Sequence, residues 1–332
     1  MGLTTNSSFP VNDSNRSALD ELSLHVIKAV YPWNALLAAV SSIQLVASLM
    51  TFSAIVCTAN LRQNQTFVIL AHVAANDTLL AIEAMVASLG KVYDYHTGLP
   101  HPSTVRECMY KDLPRMACYT NSNGFLFLLA LNRLLSVSCP LWYQTQSATR
   151  TFTALMGVMY VRTAFHSVLM ILGIYEQTVP FCGYLAMNNW SVKLLSLFSV
   201  LFTLSLTLIY MAAIIVTYAR LAKVKRQFGN MDQARERLQV QVVWTLAYIL
   251  VIHVLTTTIG NSLLAVAAVF RSGDTITRNY VAFTTSQVLV CSSSVLCFAV
   301  LYKRCNDFRN VFQKARAFLK RHQASVGPLM VF

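Results

Sequence analysis

Seven runs of mainly apolar residues follow one another along the chain, separated by short polar breaks. They predict helices over about 33–57, 66–89, 108–143, 152–174, 194–218, 240–270 and 280–302. At a rise of about 1.5 Å per residue, each is long enough to cross a hydrocarbon core of roughly 30 Å. The third run differs from the others. Its middle, Cys118 to Asn123, is polar, and Asn132-Arg133 lies near its end. Such a span cannot face lipid all round, so it is expected at the centre of a bundle. Beyond the seventh run, Phe308, Val311, Phe312, Ala315, Phe318 and Leu319 recur at helical spacing against Arg309, Lys314, Arg316 and Lys320. That pattern predicts an amphipathic helix lying on a membrane surface. The expected fold is an all-α membrane protein. A seven-transmembrane-helix bundle occupies residues 31–302, with a polar tail over 1–30 before it. A surface helix over 303–320 and a short tail over 321–332 follow.

Composition narrows the class. Charged residues make up 12% of the 332, against about 25% in soluble domains, which argues against a soluble enzyme. The net charge of +13 would suit a nucleic-acid binder, but its distribution does not. With the N-terminus outside, 16 of the 26 Lys and Arg residues fall in inner segments, among them Arg62, Arg133, Arg150, the 220–237 loop and the 303–321 tail. This positive-inside bias makes the lipid bilayer the expected partner, not nucleic acid, and sets the N-terminus outside. Glycosylation sequons at Asn6, Asn12, Asn15 and Asn189 fall on the same outer side. The eight cysteines show no CxxC or Cys/His spacing, so no metal centre is expected.

Several spacings coincide. Cys108 lies 25 residues before Arg133, Pro140 seven after it, and Tyr143 just beyond. In the second span Ala74 precedes Asp77 by three. Cys182 falls in the second outer loop, Tyr218 near the inner end of the fifth span, and Phe308-Arg309 in the surface helix. Together these resemble the rhodopsin-like G-protein-coupled receptors over about residues 30–320. Departures stand beside the matches. Asn132 and Leu134 flank Arg133 where that family has an acid and an aromatic, and Tyr160 stands at the place of a span-four Trp. The span-six Trp and Pro are missing around His253 to Thr257, and the span-seven Asn-Pro-x-x-Tyr is missing at Cys297 to Leu301. With Leu-Asn-Arg-Leu followed by Cys-Pro-Leu-x-Tyr, the chain is most similar to nematode serpentine chemoreceptors.

The resemblance implies a receptor at the plasma membrane, not an enzyme. It would couple an extracellular small molecule to a heterotrimeric G protein; a neuropeptide receptor and a seven-span transporter or channel are the alternatives. It implies a disulfide between Cys108 and Cys182, and G-protein coupling through Asn132, Arg133 and Tyr218. A polar cluster of Asp77, Ser122, Ser293 and Ser294 would hold a sodium ion or water. The ligand pocket would comprise Arg115, Met116, Tyr119, Phe202, Thr257, Asn261, Phe283 and Gln287. The span-seven Lys that binds retinal is replaced by Cys291, which argues against a light receptor.

Two intramembrane cations carry further expectations. Glu83 and Arg115 should share a depth, but Glu83 is rotated about 120° from Asp77 on its helix, which leaves direct pairing open. If Arg115 is unpaired, an anionic or neutral polar ligand suits the pocket; Glu83 would otherwise neutralise it. Arg162 and His166, four residues apart, share one face of the fourth span and serve either a ligand or a structural partner.

Overall fold

The structure, a computed structural model, describes residues 13–97, 103–143, 145–172, 178–179 and 275–325, and parts of 201–219 and 244–263. Apart from one two-residue strand pair, the described elements are helices. They are α1 (Asp13–Cys57), α2 (Ala59–Gln63), α3 (Gln65–Thr97), β1 (Ser103–Thr104), α4 (Val105–Ser138), α5 (Pro140–Tyr143) and α6 (Gln146–Leu172). After β2 (Thr178–Val179) come the shorter stretches α7 (Leu204–Val216) and α8 (Val251–Gly260), then α9 (Thr275–Arg304) and α10 (Asn306–Ser325). Among the described residues, four segments are long and apolar enough to cross a membrane: Lys28–Cys57, Gln65–Thr97, Thr149–Leu172 and Tyr280–Arg304.

The burial pattern of α1 is inverted relative to a soluble helix. Ser41, Gln44, Ser48 and Thr51 are buried, while Ile43, Val46, Leu49 and Phe52 face outward. In water such an outer face would be a liability; in lipid it is the favoured surface. The buried hydroxyls are satisfied within the helix, for example Ser48 Oγ donating to the Gln44 carbonyl at 2.8 Å and Thr51 Oγ1 to that of Ala47 at 2.8 Å. This leaves no unpaired donor to oppose packing. Leu79, Val86, Val161 and Phe165 extend the apolar outer surface over α3 and α6.

Helix α4 is the buried centre that its polar middle predicts. Thr120, Asn121, Ser122 and Asn123 are all buried, and Phe125, Leu128, Leu129, Ala130 and Asn132 are inaccessible. One core cluster joins Ile55, Ile69, Phe125, Leu129, Phe152, Leu301 and Phe308. Phe308 anchors α10 beneath the bundle, edge-on to Phe298 and Phe312. The exposed face of α10 carries Lys314 and Arg316, so the expected amphipathic helix exists.

Boundaries differ from those the apolar runs predict. Helix α1 starts at Asp13, twenty residues early, and Pro32 lies inside it without ending it. A proline removes one backbone hydrogen bond, a loss that the neighbouring turns of a long helix can tolerate. Helix α3 continues past Gly90 to Thr97, into what was expected to be loop. Helix α4 stops at Ser138 because Cys139 leaves helical geometry (φ −132°, ψ 63°). Pro140, suited to a first helical position, then opens α5. The start of α4 is fixed by a capping box. Thr104 Oγ1 accepts from Glu107 N at 3.2 Å, and Glu107 Oε2 accepts from Thr104 N at 3.1 Å. The same Thr104 pairs antiparallel with Thr178, and Ser103 with Val179.

Candidate functional site

Three polar clusters lie at successive depths along α4. The first surrounds Arg115, which is buried. Its Nη2 donates to Asp112 Oδ1 at 2.5 Å, its Nε lies 3.7 Å from Glu83 Oε2, and its guanidinium stands over the Phe283 ring at 4.8 Å. The open question of pairing is thus answered: Glu83 reaches Arg115 despite its rotation. Of the two alternatives left open, the neutralised one holds, because two carboxylates stand against the cation. Asp112, overlooked in the sequence, sits one turn before Arg115 on the same helix, a spacing that brings side chains together. Around this cluster, Met116 and Tyr119 are half-buried. Tyr280 donates to Asn34 Oδ1 at 3.5 Å. Thr257 Oγ1 and Gln287 Oε1 are buried without a hydrogen-bond partner among the described residues. Such orphaned groups are costly and mark places where a ligand or water would be welcome. Asn261 lies outside the described residues.

Phe202 does not join this group. It packs on Phe127 with ring centres 5.4 Å apart and lies beneath Arg162, whose guanidinium is 3.8 Å from the ring centre. The register of the fifth-span segment turns it toward Phe127 of α4 and Arg162 of α6, and its ring contacts among the described residues do not include Phe283.

The second cluster is a knot across four helices. Buried Asp77 accepts from Ser122 Oγ at 3.0 Å and from Ser294 Oγ at 2.7 Å; Gln44 Nε2 donates to Ser294 Oγ at 3.3 Å. Helices α1, α3, α4 and α9 are thereby tied at one level. Each hydrogen bond to the carboxylate contributes about 1.5–3 kcal/mol. Ser293, expected to join, does not: it faces His253 Nδ1 at 3.3 Å and donates to the Val290 carbonyl. Successive helical residues are turned by roughly 100°, so both serines cannot face Asp77. Asn121 Nδ2 donates to Asn76 Oδ1 at 3.0 Å beside the knot. Asp77, Ser294 and His253 line a cavity of about 30 Å³, room enough for bound water.

The third cluster is at the far end of α4. Thr66 Oγ1, at the start of α3, accepts from both Asn132 Nδ2 at 3.0 Å and Arg133 Nη2 at 2.8 Å. Asn132 Oδ1 and Arg133 Nε have no hydrogen-bond partner. Tyr218 is exposed, 69% accessible. Thr66, Gln44, His253 and Asn76 carry no sequence signal of their own. Each matters only through a partner on another helix.

Free thiols among the described residues are Cys57, Cys118, Cys139, Cys291, Cys297 and Cys305. Cys108, buried in the first turns of α4, is not among them. Cys182, Asn6, Asn12 and Asn189, and the side chain of Asn15, lie outside the described residues, as does the basic 220–237 loop.

A search among curated proteins returns no match. Residues 51–315, which include the residues of all three clusters except Asn34 and Gln44 on α1, match the family described as serpentine type 7TM GPCR chemoreceptor Srsx. The chain belongs to this family of serpentine seven-transmembrane chemoreceptors.

Proposed function

We propose that the protein is a plasma-membrane chemoreceptor of seven spans, N-terminus outside, that turns binding of an external small molecule into activation of a heterotrimeric G protein. The observation that carries this reading is the division of α4 into three discrete hydrogen-bonded junctions: Arg115 with two acids, Asp77 with two serines, and Arg133 with Thr66. Junctions of this kind have made and broken states, and packed interfaces between them switch rather than deform smoothly. A ligand shifts such an equilibrium only by its differential affinity for the two states.

The ligand would sit beside the Arg115 cluster, against Phe283, Gln287 and Thr257. Because Glu83 and Asp112 compensate Arg115, the pocket suits a neutral polar molecule that supplies hydrogen bonds to the orphaned groups on Thr257 and Gln287. The Asp77 knot would take one water or one sodium ion, since its oxygens are hard ligands; sodium-independent ligand affinity would favour water. A Cys108–Cys182 bridge would hold the second outer loop over this pocket. Asn6, Asn12, Asn15 and Asn189 would carry glycans. Arg133, the 220–237 loop and α10 would form the inner docking surface.

The test is expression in a cell line that reports cyclic nucleotide and calcium. A ligand screen should find a compound that signals only when receptor and G protein are both present. A ligand-evoked current that persists without G protein would replace the receptor reading with a channel.

A further inference from the structure

We propose that Arg162 and His166 form a second, anion-binding site at membrane depth, between α4, α6 and α7, for the charged head of a single-tailed amphiphilic carboxylate. Arg162 stands near the middle of the apolar segment Thr149–Leu172. At about 1.5 Å per residue, roughly 15–20 Å of helix separates it from either end. That is too far for the side chain to reach an interface by snorkelling. Its guanidinium turns inward, 3.8 Å from the centre of the Phe202 ring. A Cβ at Gly124 of α4 would stand 3.4 Å from Arg162 Nη1 and 2.9 Å from Met159 Sδ. Glycine is what lets α4 and α6 close around the cation.

The two intramembrane arginines contrast. Arg115 has two carboxylates. Arg162 makes no ion pair among the described residues, and its buried Nη1 has no hydrogen-bond partner. One turn along the same face, buried His166 Nε2 also lacks one. Arg162 Nη1 and His166 Nε2, one turn apart on α6, thus both lack an acceptor among the described residues. A cation in that state is strongly unfavourable in hydrocarbon, and a buried charge persists where it is paired. Phe202 compensates it in part through its ring face, which leaves the edge of the guanidinium unused. A planar, fork-shaped donor of this kind matches a carboxylate with two parallel bonds.

The surroundings define the rest of the molecule. Val158, Val161 and Phe165 on α6 are exposed apolar side chains facing lipid. The body of the ligand is therefore apolar and extends into or along the bilayer. A phospholipid headgroup is held at the interface, about 15 Å from the midplane. A single-tailed acid is not so constrained. The inference rests on α6 spanning the membrane, and not on G-protein coupling or on the Arg115 pocket.

Direct binding tests it. The full-length receptor in phosphatidylcholine nanodiscs should bind tritiated oleate saturably, and oleyl alcohol, its uncharged counterpart, should fail to compete. Arg162→Gln should weaken binding about 30-fold, which corresponds to about 2 kcal/mol at ~1.4 kcal/mol per tenfold. Arg162→Lys, which keeps the charge but not the two parallel bonds, should lose an intermediate amount. Folding of each variant is checked by thermal unfolding. If Arg162→Gln does not fold, competition between oleate and oleyl alcohol on the wild type decides alone. Absence of saturable oleate binding, equal binding by a folded Arg162→Gln, or equal competition by oleyl alcohol overturns the site. Discs enriched in phosphatidate should bind oleate unchanged; competition there overturns the single-tailed assignment.

Discussion

Replacing Thr66 by Val tests how the inner end of α4 is held. The substitution preserves shape and removes the acceptor shared by Asn132 Nδ2 and Arg133 Nη2. Thr66 is 2% exposed and Asn132 wholly buried, so water does not readily replace the lost partner. The bond from neutral Asn132 is worth about 0.5–1.5 kcal/mol and that from charged Arg133 about 1.5–3 kcal/mol. The junction therefore contributes about 2–4.5 kcal/mol. If both bonds belong to the resting arrangement, their loss shifts the resting-to-active ratio by roughly 30-fold to more than 1,000-fold at ~1.4 kcal/mol per tenfold. Ligand-free G-protein activation, normalised to receptor at the cell surface, should rise toward its maximum. Thr66→Ser, which keeps the hydroxyl, should stay near wild type. Wild-type basal activity in Thr66→Val, or equally raised activity in Thr66→Ser, would refute the reasoning. It would mean that the bonds persist in both states or hold neither.

Asn132→Asp places a carboxylate beside Arg133 and should lower ligand-free signalling in the same assay; an unchanged or higher level counts against Asn132 holding Arg133 less tightly at rest than an acid would. Ser294→Ala leaves Asp77 Oδ2 without its 2.7 Å donor and Gln44 without its acceptor. It should cost about 1.5–3 kcal/mol, read as a lower thermal midpoint of purified receptor. Ser293→Ala, which does not touch Asp77, should shift that midpoint less, and the reverse order would place the knot wrongly. Gly124→Ala drives a methyl to 2.9 Å from Met159 Sδ, and overpacking of this kind costs about 1–3 kcal/mol. Its thermal midpoint should fall, and fall less when Gly124→Ala is introduced into a Met159→Ala background.

The centre of the fold could be read from the chain because polarity in an apolar run has one physical solution. Cys118 to Asn123 had to be enclosed, and Ser122 and Asp77 could be matched in depth along helices of known rise. What the chain did not disclose is rotation. Ser293 and Ser294 are equivalent in sequence, and only the packing of α9 against α1 and α3 decides which one faces Asp77. The contacts of Phe202 with Phe127 and Arg162 likewise depend on a rotation that spacing does not give. Thr66 is one threonine among many until α4 brings Asn132 and Arg133 to it. Asp112 is different: its spacing from Arg115 was visible, and it escaped notice because it lies where the apolar run had only begun. The early start of α1 reflects another limit, since hydropathy reports where lipid begins, not where a helix does.

Thr104 has two tasks. It is a rung of the strand pair to Thr178 and the cap of α4. The segment after α6 therefore cannot be pulled away without straining the residue that terminates the central helix. Such an arrangement acts as a lever. A force applied to the short ribbon, by a molecule wedged beneath it or by its own thermal motion, is delivered to the first turn of α4. The helix would answer by fraying or by shifting along its axis, and Arg115, Ser122 and Arg133 all ride on that axis. The ribbon is thus a handle on the shaft, and the weight of a ligand would be felt at the far end without the ligand travelling there.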